Sequence, residues 1–341
     1  MGLKGILLGV RCLAPLLEAY VDTSTFPHMS LLWIVDELAQ FQNLRSVQIT
    51  APVTHRNIHA ALSRLPLAYL RVSVVPESAL SAASPLSAAT LRVLDIHGAP
   101  GDLAAMLPSW SLPSLERARI SVFDESSHNT DVYQPALAAA IVVPLPHATL
   151  RSLHISLSGA SSSHRAAPLP LSQFLRPAFQ LHNLESFTLR VHDWYVKLSA
   201  DDDAFTQLAE AWPSLRSLEL DFPGWHAEGP VPTPLVLLAL ARSCPELQEL
   251  VLPHIDHTVE IETLPPRGTL HVHTQLRRLC ITDDPTKNPK FNVTREAVEA
   301  LAGFVGELFP CLSLFSDVRR HRKGRAPWTE VFVSLRRGLH K

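Results

Sequence analysis

Apolar residues return along this chain in one recurring phrase, Leu-x-x-Leu-x-Leu or a close aliphatic variant, usually preceded by Pro, Asn or Thr. The first copies are Leu44, Val47, Ile49; Leu67, Leu70, Val72; Leu91, Leu94, Ile96; and Leu115, Ala118, Ile120. Then come Leu150, Leu153, Ile155; Leu184, Phe187, Leu189; Leu215, Leu218, Leu220; Leu247, Leu250, Leu252; and Leu276, Leu279, Ile281, with a degenerate tenth around Leu312 and Phe315. Leading leucines are spaced 23, 24, 24, 35, 34, 31, 32 and 29 residues apart. One such phrase in a leucine-rich chain means nothing. Nine in order, near the ~20–29-residue period of leucine-rich repeats, define a repeat with insertions in its later units.

The alternation within the phrase predicts a strand whose apolar residues turn inward while the residues between them turn outward. Helical patterns lie between the phrases, at 28–41, 54–65, 171–179, 204–212 and 234–244, with later ones at 293–308 and 327–339. Thr54, Asp201 to Asp203 and the Thr233-Pro234 pair stand at helix starts as candidate caps. A strand–helix unit cannot bury its apolar side alone, so neighbours must stack. The expected fold is α/β: a leucine-rich-repeat solenoid, or horseshoe, with parallel strands on the concave face and helices on the convex face. The expected organisation is one continuous domain, with an N-terminal helical cap over 1–40, the array over 41–318, and a basic loop with a capping helix over 319–341. Polar or turn-rich stretches at 125–131, 158–167, 223–234, 264–268 and 283–289 read as loops inserted between repeats.

Composition sharpens this picture. With 46% hydrophobic residues in 341 there is ample material for a core, and 7% aromatics fits shallow leucine layers. A net charge of −2 gives no general attraction to nucleic acid or acidic membranes. Cys12, Cys244, Cys280 and Cys311 lie far apart, which fits reduced thiols better than a disulfide framework or a zinc site. The apolar opening is broken by Arg11 and Glu18 and reads as helix rather than a signal segment. No apolar run approaches the ~18 residues of a membrane span. The Asn292-Val293-Thr294 sequon is read as chance. These features predict a cytoplasmic or nuclear protein.

Several phrases carry a further resemblance. Cys244-Pro-Glu-Leu247-Gln-Glu-Leu250, Trp212-Pro-Ser-Leu215-Arg-Ser-Leu218, Phe309-Pro-Cys-Leu312 and the stretch from Phe179 to Phe187 resemble the repeats of fungal F-box/leucine-rich-repeat proteins, over roughly residues 40–340. The resemblance implies that the repeats recruit a protein substrate for a ubiquitin ligase, with an N-terminal F-box docking on the ligase adaptor. The family's Leu-Pro-x-Glu opening is not found in this sequence. A shortened member, an incomplete gene product and a relative that lost the box remain open readings, and adaptor binding is expected only if an F-box lies upstream.

Candidate sites follow from the strand phase. The outward middle positions form a row: Gln48, Arg71, Asp95, Arg119, His154, Thr188, Glu219, Val251 and Cys280. Arg71, Asp95 and Arg119 would stand side by side as an ion ladder or as part of a recognition surface. The first seven are the expected partner-binding residues. His254, His257, His271 and His273 cluster, with His271 and His273 in a strand-like stretch, but no Cys or carboxylate completes a metal set at convincing spacing. The run from Arg319 to Arg325 is basic without interleaved aromatics, so it reads as a solvated loop; nuclear import or nucleic-acid contact is the alternative. There is no phosphate loop, Gly-x-Ser-x-Gly or His-Glu-x-x-His. The sequence therefore predicts a protein-binding module, not an enzyme, with no cofactor, no metal and no membrane partner; a scaffold or a nucleic-acid-associated repeat protein is the alternative.

Overall fold

A computed structural model describes residues 18–21, 44–53, 62–74, 86–124, 135–159, 169–192, 198–222, 229–256, 264, 270, 272–281, 294–315 and 327–339. The helix expected at 28–41, most of that at 54–65, Cys12, the loops at 125–131 and 283–289, His257, His271 and the basic run at 319–325 lie outside the described residues. The chain is an α/β protein built on parallel strands, and it divides into two compact units, residues 1–160 and 161–341.

In the first unit, β1 (Glu18–Val21), β2 (Ser46–Val53), β3 (Tyr69–Val74), β4 (Val93–Gly98), β5 (Arg117–Asp124) and β6 (Ser152–Gly159) pair in chain order, each parallel to the last. β1 corrects the expectation of an all-helical segment over 1–40. Tyr20 and Val21 favour extended backbone, and pairing supplies partners for the backbone groups that β2 would otherwise leave unpaired on that side. A register shift between Ile49 and Pro52 breaks the β2–β3 ladder, as suits a residue that cannot donate a ladder hydrogen bond. Two short helices, α1 (Pro100–Met106) and α2 (Pro135–Val142), lie in stretches where the pattern predicts none. The first spans barely two turns, and the second is apolar almost throughout, so neither shows a 3.6-residue periodicity.

In the second unit, β8 (Ser186–Val191), β10 (Ser217–Asp221), β11 (Glu249–Leu252), β12 (Arg278–Ile281) and β13 (Leu314–Phe315) form the same kind of parallel series. β13 aligns Phe315 with Leu279, so the degenerate tenth phrase also forms a strand of the series. A two-residue pair, β7 (Leu169–Pro170) and β9 (Leu198–Ser199), stands apart from the main series. The helices are α3 (Leu171–Leu175), α4 (Asp202–Ala211), α5 (Leu235–Ser243), α6 (Arg295–Leu308) and α7 (Pro327–Leu339). The helix expected over 171–179 tightens into a 3-10 turn at Arg176–Gln180, where Pro177 lacks the N–H that would continue an α-helix. Asp201 caps α4 by accepting from the Ala204 N–H at 2.9 Å, and Thr294 caps α6 from the Ala297 N–H at 3.2 Å.

The phrase is the core. All three apolar positions in each of the nine copies are at most 2% exposed. A backbone device repeats with it. In seven of the phrases the N–H of the residue after the leading leucine and the N–H of the next residue converge on one carbonyl of the preceding repeat. Ala68 and Tyr69 donate to Arg45, Arg92 and Val93 to Ala68, Glu116 and Arg117 to Arg92, and Arg151 and Ser152 to Glu116. In the second unit Arg216 and Ser217 donate to Glu185, Gln248 and Glu249 to Arg216, and Arg277 and Arg278 to Gln248.

The turn into six of the phrases is equally regular. The leading leucine donates to the carbonyl three residues earlier: Leu91 to Ala88, Leu115 to Leu112, Leu184 to Leu181, Leu215 to Trp212, Leu247 to Cys244 and Leu312 to Phe309. Pro113, Pro213, Pro245 and Pro310 occupy the second position of four of these turns, where their fixed φ suits the bend. This is the structural content of the Trp-Pro, Cys-Pro and Phe-Pro phrases. The Thr that precedes two of the leading leucines ties its repeat to the one before. Thr90 donates to the Leu67 carbonyl at 2.8 Å, and Thr149 to that of Leu115 at 2.9 Å.

Candidate functional site

The strands present their alternate residues away from the buried phrase, and register decides which of these meet. In the first unit Gln48 stands beside Arg71, Arg71 beside Asp95, Asp95 beside Arg119, and Arg119 beside His154. In the second, Thr188 stands beside Glu219, Glu219 beside Val251, and Val251 beside Cys280. Within each unit the row expected from the alternation is therefore in register. Gln48, Arg71, His154, Thr188 and Glu219 are half-buried, Arg119 is exposed, and Asp95 and Cys280 are buried.

Asp95 is the structural centre of the first row. Its Oδ2 lies 3.4 Å from Arg71 Nε. Its Oδ1 lies 2.9 Å from His97 Nε2, a close electrostatic contact without the alignment of a hydrogen bond. Burial alone would push the Asp95 carboxyl upward, but His97, Arg71 and Arg119 together hold it below the usual carboxylate value. Its negative charge also contributes to raising the Tyr69 hydroxyl, after burial as the larger cause. Sequence reasoning named Asp95 but not His97, Tyr69 or Arg117, the outward residues before and after the row. The same alternation, extended one step each way, would have found them.

The second row is organised differently. Glu219 Oε1 accepts from Arg190 Nη2 at 2.9 Å and Nε at 3.2 Å, a diagonal contact across the ladder. Arg278 and Glu249, direct neighbours in register, lie 3.6 Å apart. Its charges are thus paired within the face.

The histidine cluster has a structural role where it is described. Residues 272–277 are not strand, contrary to the expected strand-like stretch; β12 begins at Arg278. His273 is buried, with Nε2 2.9 Å from the Cys244 carbonyl, and Nδ1 accepts the Leu276 N–H at 3.2 Å. The imidazole thereby replaces the carbonyl that receives the leading leucine in other repeats, which fixes the proton on Nε2. Cys244 sits in the same layer, and burial pushes its thiol up to about 12, so it is packing rather than a nucleophile. Cys280 is buried and Cys311 exposed; both are free thiols.

Among the described residues no helix is long and apolar enough to cross a membrane. No protein-family model matches the chain, and no curated protein matches it.

Proposed function

We propose that this chain is a leucine-rich-repeat solenoid that binds another protein through its outward strand residues, in the manner of the substrate-recruiting repeats of F-box ubiquitin-ligase receptors. It acts by reversible binding in the cytoplasm or nucleus, without catalysis or a cofactor. One observation carries this reading: Gln48, Arg71, Asp95, Arg119 and His154 lie in unbroken register on five successive parallel strands. A series of this kind presents polar side chains at ~4.8 Å intervals on a rigid support, which suits recognition of a folded or extended protein surface. Buried Asp95 orients Arg71, and exposed Arg119 with half-buried His154 provides the contact.

The test is affinity capture or proximity labelling with the intact chain, followed by charge reversal. Arg119→Glu alone, and Arg71→Glu with Arg119→Glu, should remove the specific partners while leaving the far-ultraviolet circular dichroism unchanged. Retention of every specific partner by folded double variants would remove the strand face from consideration. Capture of a ubiquitin-ligase adaptor by the full-length transcript product is the separate test of the receptor role; failure to bind it would leave a repeat protein outside that pathway.

A further inference from the structure

A second polar row runs beside the strand face of the first unit, one residue after each leading leucine: Arg45, Ala68, Arg92, Glu116 and Arg151. These are the residues whose carbonyls collect the paired N–H groups of the next coil, from Arg45 through Glu116, so their backbones are locked one strand spacing apart. Arginine therefore recurs on every second coil, roughly 10 Å from the next at two strand spacings. All five residues, with Thr149, line an open groove of about 620 Å³.

The groove has a definite chemistry. Three guanidinium groups face one carboxylate. Arg45 is planted by an Nη1 hydrogen bond of 3.0 Å to the Pro66 carbonyl. Arg92 Nη1 lies 3.5 Å from Glu116 Oε1, an exposed pair that an incoming anion can rearrange at little cost. Ala68 leaves space between the first two arginines. The hydroxyls of Thr90 and Thr149 in the wall are already committed to backbone carbonyls. No aromatic side chain lines the groove, so nucleobases would find no stacking platform.

We propose that this groove binds an extended acidic segment of a partner protein, laid across the coils, with carboxylates three residues apart over Arg45, Arg92 and Arg151. A segment in the polyproline II conformation advances ~3.1 Å per residue with three residues per turn, so every third side chain returns to the same face after about 9 Å, close to the arginine spacing. The assignment goes beyond the strand-face reading, uses none of its residues and stands or falls without it.

The experiment is fluorescence anisotropy at low salt with the full chain and a labelled Gly/Ser peptide carrying Glu at every third position. The expected result is saturable binding that weakens with added salt, and loss of it when Gln replaces Glu in the peptide. Arg45→Gln with Arg92→Gln and Arg151→Gln should weaken binding about tenfold, the combined effect of three exposed ion pairs. Glu116→Gln, which removes the single opposing carboxylate, should tighten it about threefold and serves if the triple variant fails to fold. Measured at about 0.15 M salt, where charges more than ~8 Å apart are largely screened, Arg119→Glu on the strand face should leave peptide affinity within about twofold, which separates this site from the other. Absence of saturable binding, equal affinity of wild type and folded triple variant, or tighter binding of an oligothymidylate than of the peptide overturns the proposal.

Discussion

On the outward positions of β2–β6 the first unit carries Arg71, Arg117 and Arg119 against the single carboxylate of Asp95. On the corresponding positions of β8 and β10–β12, the second carries Arg190 and Arg278 against Glu219, Asp221 and Glu249, with Arg190–Glu219 and Arg278–Glu249 already paired. The backbone device is the same in both. What differs is whether charge on the sheet is consumed by the sheet. On β2–β6 the one carboxylate is buried and shared among several cations, leaving net positive charge on these strands for something else to meet. In the second the pairs satisfy each other, as cross-strand ladders do in a purely structural sheet.

The turns differ in the same spirit. The first unit enters its phrases from Ala88 and Leu112, the second from Leu181, Trp212, Cys244 and Phe309. Trp212 is fully buried, donates its indole N–H to the Ala178 carbonyl at 3.0 Å, and packs on Phe187 with ring centroids 4.7 Å apart. The comparison therefore predicts its largest effect here. Trp212→Ala should cost about 3–5 kcal/mol, since it opens a ring-sized cavity and strands a carbonyl. Denaturant unfolding would measure it, with hydrogen exchange to locate the loss in residues 161–341. A change under ~1 kcal/mol would mean that the aromatic anchors are not what holds the longer repeats.

The next effect probes the other unit. Asp95→Asn should destabilise the protein by about 1–3 kcal/mol at neutral pH, because Arg71 and His97 lose their buried anion. The pH dependence has a defined sign. The native carboxyl is held below its unfolded value, so its contribution is complete above the unfolded value of ~3.9 and fades as pH falls through the native one. Wild type and variant should therefore converge in stability on acidification below about pH 4. A gap that stays constant down to pH 2 would show that the charge on Asp95 is not the source of the difference.

These two sites also mark what the chain reveals without its structure. The apolar phrase is legible because its periodicity is local, and with it come strand order, the register of the outward row and the cap at Asp201. Contacts set by the length of an insertion are not. Asp202 reads only as a cap, yet its carboxylate accepts from both the Thr233 N–H at 2.7 Å and the Thr233 hydroxyl at 2.6 Å, across 31 residues. His273 suggests a metal ligand because its neighbours are histidines; its real partners are the Cys244 carbonyl and the Leu276 N–H. β1 escapes a reading by periodicity because a short segment without a phrase of its own takes its conformation from the strand it pairs with.

The smallest expected effect tests the second unit's self-pairing directly. Arg190 reaches one carboxylate oxygen of Glu219 with two nitrogens, but both side chains are more than a fifth exposed. Exposure screens the pair and side-chain ordering offsets part of its energy, so Glu219→Gln should cost only about 0.2–1 kcal/mol. The consequence for binding is more informative than the stability. If self-pairing is what keeps this face out of recognition, freeing Arg190 should give the second unit a salt-sensitive affinity for acidic peptides that the wild-type face lacks. Anisotropy with the same glutamate peptide would read it, in a background where Arg45, Arg92 and Arg151 are replaced by Gln to silence the groove. No gained affinity at low salt, with the fold intact, would mean that the difference between the two faces lies in their shape and not in how their charges are spent.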